Sequence, residues 1–138
     1  MEVSFAFLCD YADQAGGKMV AVGIGIDTIY ATKIPATHPL LFAVIGLRFS
    51  AVESGSKQVG IRLIDADGKN IMPPLDVTVN VAPPTPGYMY RTLRIVSALH
   101  GLKFDKYGDY SISWLVGEQE VKQVPFKVAE PPPLPSTA

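Results

Sequence analysis

The side chains suited to acid and base chemistry are thinly spread along this sequence. Asp10, Asp13 and Asp27 fall at the ends of two early predicted strands. Two carboxylates held close together can divide acid and base roles, because environment pushes their proton affinities apart. Catalysis of that kind needs the fold to gather these three carboxylates with His38 in one pocket. No Ser/His/Asp grouping accompanies them, and solvated aspartates at strand ends are commonplace, so catalysis ranks last among the functions considered. His38 and His100 are far apart, and neither sits in an HxH or HExxH spacing, so both read as loop residues and no metal or cofactor is expected.

Three other groups invite a chemical reading. Asp65-Ala66-Asp67-Gly68-Lys69-Asn70 has the acidic content of a calcium loop, but its glycine stands fourth instead of sixth, and Asp76 occupies the place of the bidentate Glu. Asp-Gly between apolar runs favours a tight turn, because glycine takes positive φ without strain. Gly23 and Gly25 form a GxG without the further glycine or the helix of a dinucleotide fingerprint. Glycines within a strand mark a bulge or a close backbone approach, and a bare face there can accept a partner chain or a flat ligand. Cys9 lies on an apolar face with no Lys, Arg or His near it in sequence, which suits an inert core thiol.

These residues need a scaffold, and the composition supplies one. A chain of 138 residues with 48% apolar side chains can bury one core without metal or disulfide support. Twelve basic and thirteen acidic side chains leave a formal charge of −1, and no cluster of Lys and Arg exceeds a pair. Nucleic acid is therefore not expected as a partner, since phosphate recognition needs a concentrated positive footprint. No apolar stretch reaches a membrane span, and the opening residues lack the basic start and unbroken apolar run of a secretory signal. With a single cysteine, the expectation is a cytoplasmic protein with a reduced thiol.

Two-residue alternation dominates the pattern and predicts an all-β fold: a single antiparallel β-sandwich of about seven to nine strands with little or no helix. Tyr110, Ile112, Trp114 and Val116, then Val124, Phe126 and Val128, read as a hairpin whose inward face carries Trp114 and Phe126 into the core. Val3, Phe5, Phe7, Cys9 and Tyr11 share one face of a first strand. Val20, Val22, Ile24 and Ile26 form a buried row in a second, running from Lys18 to Tyr30. Residues 31–39 read as a loop, 40–50 and 57–65 as a strand pair, 76–81 and 88–99 as further strands. The domain is expected to cover 1–128, with 129–138 a proline-rich, polyproline-like tail.

Gly108 and Tyr110 keep the spacing of a corner in immunoglobulin-like sandwiches, where the tyrosine hydroxyl ties the chain back on itself. Ile112 stands where an antibody domain has its second cysteine, so this resemblance covers the corner and not the antibody-type core. Over residues 1–128 the sequence resembles a family of small bacterial proteins of unknown function. The resemblance rests on FAFLCDYA (Phe5 to Ala12), GIGIDTIYA (Gly23 to Ala31), His38-Pro39, LIDADGK (Leu63 to Lys69) and the closing hairpin. It implies a cytoplasmic β-sandwich, and it supplies no catalytic residue.

By exclusion, a non-enzymatic module that binds another protein or a second copy of itself leads. Its candidate surface is Gly23, Gly25, Tyr30, Tyr88, Tyr90, Arg91 and Arg94. The alternative is a small-molecule or carbohydrate binder that stacks ligands on Tyr11, Tyr30, Tyr88, Tyr90 or Tyr107.

Overall fold

The computed structural model describes residues 1–134. The chain is all-β, as the alternation predicts. Its strands are β1 (Glu2–Cys9), β2 (Tyr11–Ala15), β3 (Lys18–Val22), β4 (Thr28–Tyr30), β5 (Ala36–Phe49), β6 (Gly55–Asp65), β7 (Leu75–Val81), β8 (Arg91–Phe104), β9 (Gly108–Val116) and β10 (Gln119–Ala129). The one helical element among the described residues is a 3-10 turn, Ala51–Glu53. Glu130 to Leu134 continue beyond β10 without regular structure, and the rest of the proposed tail lies outside the described residues.

Three sheets form. One has the order β1-β5-β8, a second β4-β10-β9-β6-β7, and the β2-β3 hairpin is the third. All pairings are antiparallel except β4 with β10, which run parallel. The three- and five-stranded sheets share one core, in which Leu41, Ile45 and Leu47 of β5 join Leu63, Ile112 and Trp114 of the facing sheet. Burying each such aliphatic side chain stabilises the fold by roughly 1.5–3 kcal/mol. Trp114 is fully buried, paired with Ile61 on one side and Lys122 on the other, as the closing hairpin requires. Phe104, Tyr110 and Phe126 close one end as an aromatic cluster with ring centroids 4.9–6.0 Å apart.

The hairpin of β2 and β3 lies over the outer face of the three-stranded sheet and creates a second, smaller core of Cys9, Ala12, Phe42 and Val44. This arrangement corrects two expectations. Phe5, Phe7 and Cys9 share a face, which packs under this hairpin. A register shift between Val3 and Phe5 sends Val3 to the main core with Ala6 and Leu8, and Tyr11 opens β2 instead of continuing β1. In β3 the buried side is Met19 and Ala21, and Val20, Val22 and Ile24 stand more than half exposed. The alternation of β3 is present but its buried side is the opposite one, because alternating apolar residues do not say which side another layer will cover.

Other boundaries move for local reasons. The segment from Lys18 to Tyr30 is two strands, broken where Gly23 and Gly25 take positive φ. Strand β5 starts at Ala36 and therefore contains Pro39, where the ladder with β8 skips the step opposite Gly101, sparing the missing N–H. Strand β8 likewise runs on through His100 and Gly101 to Phe104 instead of ending at Leu99. β5 and β6 do not pair: the 3-10 turn carries the chain from one sheet to the other.

Candidate interaction surface

Sheets that do not close into barrels leave edge strands, whose unpaired N–H and C=O groups invite another chain. In the two larger sheets the edges are β1, β8, β4 and β7. Three are managed. The carbonyl of Leu8 in β1 accepts from Gly25 and Ile26 of the crossing after β3. On β8 the Gln14 amide donates to the Arg94 carbonyl at 3.0 Å, and the Arg94 guanidinium reaches the Gly17 carbonyl at 3.3 Å. Strand β4 is only three residues long.

The β7 edge is bonded by no segment from outside its own sheet among the described residues. Its sequence, LDVTVNV, holds no proline, lysine or arginine, and its one charge, Asp76, pairs with Arg62 at 3.1 Å within the same sheet. Outside its ladder with β6, one hydrogen bond among the described residues reaches its backbone, from Arg62 Nη1 to the Leu75 carbonyl at 3.3 Å. Val79 and Val81 pack into the main core. Leu75 and Val77 point the same way but overhang the sandwich, about half exposed. Beneath them lies an apolar hollow of about 260 Å³ lined with Ile61, Ile95 and Ser97, and a second of about 330 Å³ continues past Leu75 toward Met72 and Leu102. The open seam between the edges of β7 and β8 is thus greasy inside and bordered on the β7 side by backbone that meets no segment outside its own sheet among the described residues.

The residues singled out in sequence do not form one surface. Gly23 and Gly25 belong to the crossing over the end of β1, where a Cβ on Gly23 would collide with Asp10 Oδ2. The glycine row is therefore a close approach to the chain's own residues at Gly23. Arg94 is committed to the β2-β3 hairpin. Tyr30 lies at the end of the molecule near Phe104, whereas Tyr88 and Tyr90 lie just before β8 and Arg91 is its first residue. The 14 residues of β8 separate these ends, about 40 Å at strand spacing. Tyr88 and Tyr90 are displayed on the loop that follows β7, closed at its base by Arg91, which donates twice to the Pro83 carbonyl, at 2.8 and 3.3 Å.

Tyr30, Lys33, Thr37 and His38 line a cleft of about 370 Å³ beside Phe104, and this cleft contains none of Asp10, Asp13 and Asp27. The carboxylates are used locally: Asp13 accepts from the Tyr11 hydroxyl, and Asp27 from that of Thr28. The acidic loop is a turn, as its Asp-Gly spacing predicts. Asp65 Oδ1 accepts the backbone N–H groups of Asp67 and Lys69, both at 2.9 Å, and Gly68 takes φ of +80°. These hydrogen bonds, with Lys106 close by, hold the Asp65 carboxyl below the usual range despite its burial. No group of three or more His, Cys, Asp and Glu among the described residues is arranged to hold a metal ion. Nor is any helix among them long and apolar enough to cross a membrane.

The sequence reading missed β7 as an edge. Its local signals were visible, a valine alternation bracketed by Pro73-Pro74 and Pro83-Pro84, but strand order is a property of the whole fold. A comparison with curated proteins gives no match. The sequence model described as a family of unknown function (DUF6941) matches residues 4–129, from within β1 to the end of β10, and the chain belongs to that family.

Proposed function

We propose that this chain is a non-enzymatic protein-interaction module whose β7 edge accepts an extended strand from a partner. The observation that carries the reading is the contrast among edges: β1 and β8 are each met by another segment of the chain and β4 is short, whereas β7 is a seven-residue strand, rich in Val and Thr, that meets no segment outside its own sheet among the described residues. In strand addition, main-chain hydrogen bonds supply affinity, and alternate side chains enter the adjoining hollows. The hollows beside Leu75 and Val77 give such side chains a place to go. The Tyr88 and Tyr90 loop extends the same edge with aromatic surface.

Immunoglobulin-like architecture suits this role, and the Tyr110 corner supports it. A cytoplasmic setting, which the resemblance to small bacterial proteins implies, is consistent with the one cysteine, buried and unpaired. The near-neutral charge favours a protein partner over nucleic acid or an anionic membrane surface. A photo-crosslinking amino acid placed at Thr78, in cells, should form adducts with a polypeptide, and the same label at Lys122 on β10 should not. Equal labelling, or none at Thr78, rejects the reading.

The cleft of Tyr30, Lys33 and His38 favours a second reading, a small anionic ligand held by the lysine and stacked on the tyrosine. Specific ligands raise a melting temperature by mass action. Thermal-shift screening against sugar phosphates and nucleotides tests it, and a Lys33→Ala variant should lose any shift.

A further inference from the structure

We infer that the strand β7 accepts is the β7 of a second copy, added antiparallel about a two-fold axis through Thr78. This inference rests on the strand-acceptor reading above and names its partner.

The sequence around the edge is nearly symmetric: Pro73-Pro74-Leu75-Asp76-Val77-Thr78-Val79-Asn80-Val81-Ala82-Pro83-Pro84. A two-fold axis at Thr78 sets Leu75 opposite Val81 and Val77 opposite Val79 on the inward face. On the outward face it sets Asp76 opposite Asn80, and Thr78 opposite its own copy. Every direct pair is then apolar with apolar or polar with polar, at the 4.5–5.5 Å Cβ spacing of antiparallel neighbours. The two Asp76 carboxylates stay apart, since four residues of strand separate each from its copy's position, about 13 Å.

Alternative registers fail for stated reasons. Directly opposite residues in an antiparallel pair must lie on the same face, so a one-residue slip would set the valine row against the polar row. The next permitted shift on either side puts Pro73 opposite Val81 or Pro83 opposite Leu75. Proline has no N–H to give the ladder. The prolines therefore leave one register in which all seven residues of β7 pair. In that register the two five-stranded sheets become one continuous sheet, and Leu75 and Val77 are covered by their counterparts.

The full chain, measured by light scattering over a concentration series, should pass from the mass of one chain to twice that mass. Val77→Lys places a charge on the inward row at a half-exposed position and should abolish the doubling while the circular-dichroism melt stays cooperative. Thr78→Cys should be joined to its copy by a short bis-maleimide, whereas Glu118→Cys, on the β9-β10 turn, should not; the buried Cys9 stays silent. A single-chain mass at every concentration with no linkage at residue 78 overturns the inference, as does a dimer that survives Val77→Lys. If the single-chain mass is found while the photo-label at Thr78 captures a different polypeptide, the second copy is rejected and the strand-acceptor reading stands. If it captures nothing, both fall.

Discussion

The Tyr110 hydroxyl donates to the backbone carbonyl of Lys106 at 2.6 Å, pinning the chain that enters β9 to the body of the five-stranded sheet. The ring meanwhile stacks against Phe126 and meets Phe104 edge-on. Tyr110→Phe keeps the ring and removes the hydrogen bond. A neutral hydrogen bond contributes about 1 kcal/mol net. Urea unfolding should show a lower midpoint with an unchanged slope; an unchanged midpoint would mean that water replaces the hydroxyl at no cost.

Lys106 also joins two parts of the chain through its side chain, lying 2.9 Å from Asp67 and 3.5 Å from the buried carboxylate of Asp65. The Asp65 carboxyl is held below its ordinary value by the backbone N–H of Lys69 first, then by that of Asp67 and by Lys106. The unfolded chain therefore binds this proton more readily than the folded one. The stabilisation is full above the ordinary carboxylate range, near pH 4, and is lost as pH falls through the lower folded value. Asp65→Asn should lower the melting temperature at neutral pH and flatten the acid limb of its pH profile. A variant whose melting temperature falls as steeply in acid as that of the native chain would show that other carboxylates govern the acid limb.

Cys9 is wholly buried, with its Sγ 3.4 Å from the Tyr11 carbonyl. Burial pushes its thiol above the ordinary value, with the charge of Asp10 acting the same way. The thiolate is the reactive form. A disulfide reagent near pH 8 should therefore react slowly with the folded protein and completely after unfolding in urea. Because the raised value belongs to the folded state, Cys9 contributes stability that is full below the ordinary thiol range, about pH 8.5, and is lost as pH rises from there through the raised folded value. Rapid labelling of the native protein would place the thiol at the surface.

Alternation makes the strands legible, and the aromatic spacing of β9 and β10 predicts the burial of Trp114 and Phe126. What it could not convey was which layer meets which face. Val20, Val22 and Ile24 look as buried in sequence as Val59, Ile61 and Leu63, yet only the latter meet a second sheet. The hairpin of β2 and β3 instead turns Ala12, Met19 and Ala21 toward the outer core. The candidate surface was hidden for the same reason. Tyr88 and Tyr90 were found by type, while the β7 edge beside them depends on strand order, which rests on contacts distant in sequence.

Gly23 sits where β3 ends and the chain crosses the tip of β1, at φ of +70°. There the Asp10 N–H donates to the Val22 carbonyl at 3.0 Å, and the Asp10 side chain fills the space a methyl would need, with its Cγ 2.8 Å and Cβ 3.1 Å from that position. Gly25 also has positive φ, +92°, but nothing lies within 4 Å of its missing Cβ. A left-handed backbone costs an L-residue about 1 kcal/mol relative to glycine. Gly25→Ala should show that conformational cost alone. Gly23→Ala adds displacement of Asp10 and should be the more damaging, by about a further 1 kcal/mol. Asp10→Ala in the Gly23→Ala background should recover part of the difference, because the two changes share one volume and cannot be additive. Equal losses at the two glycines, with no recovery in the double variant, would show that backbone conformation and not the contact with Asp10 fixes glycine at position 23.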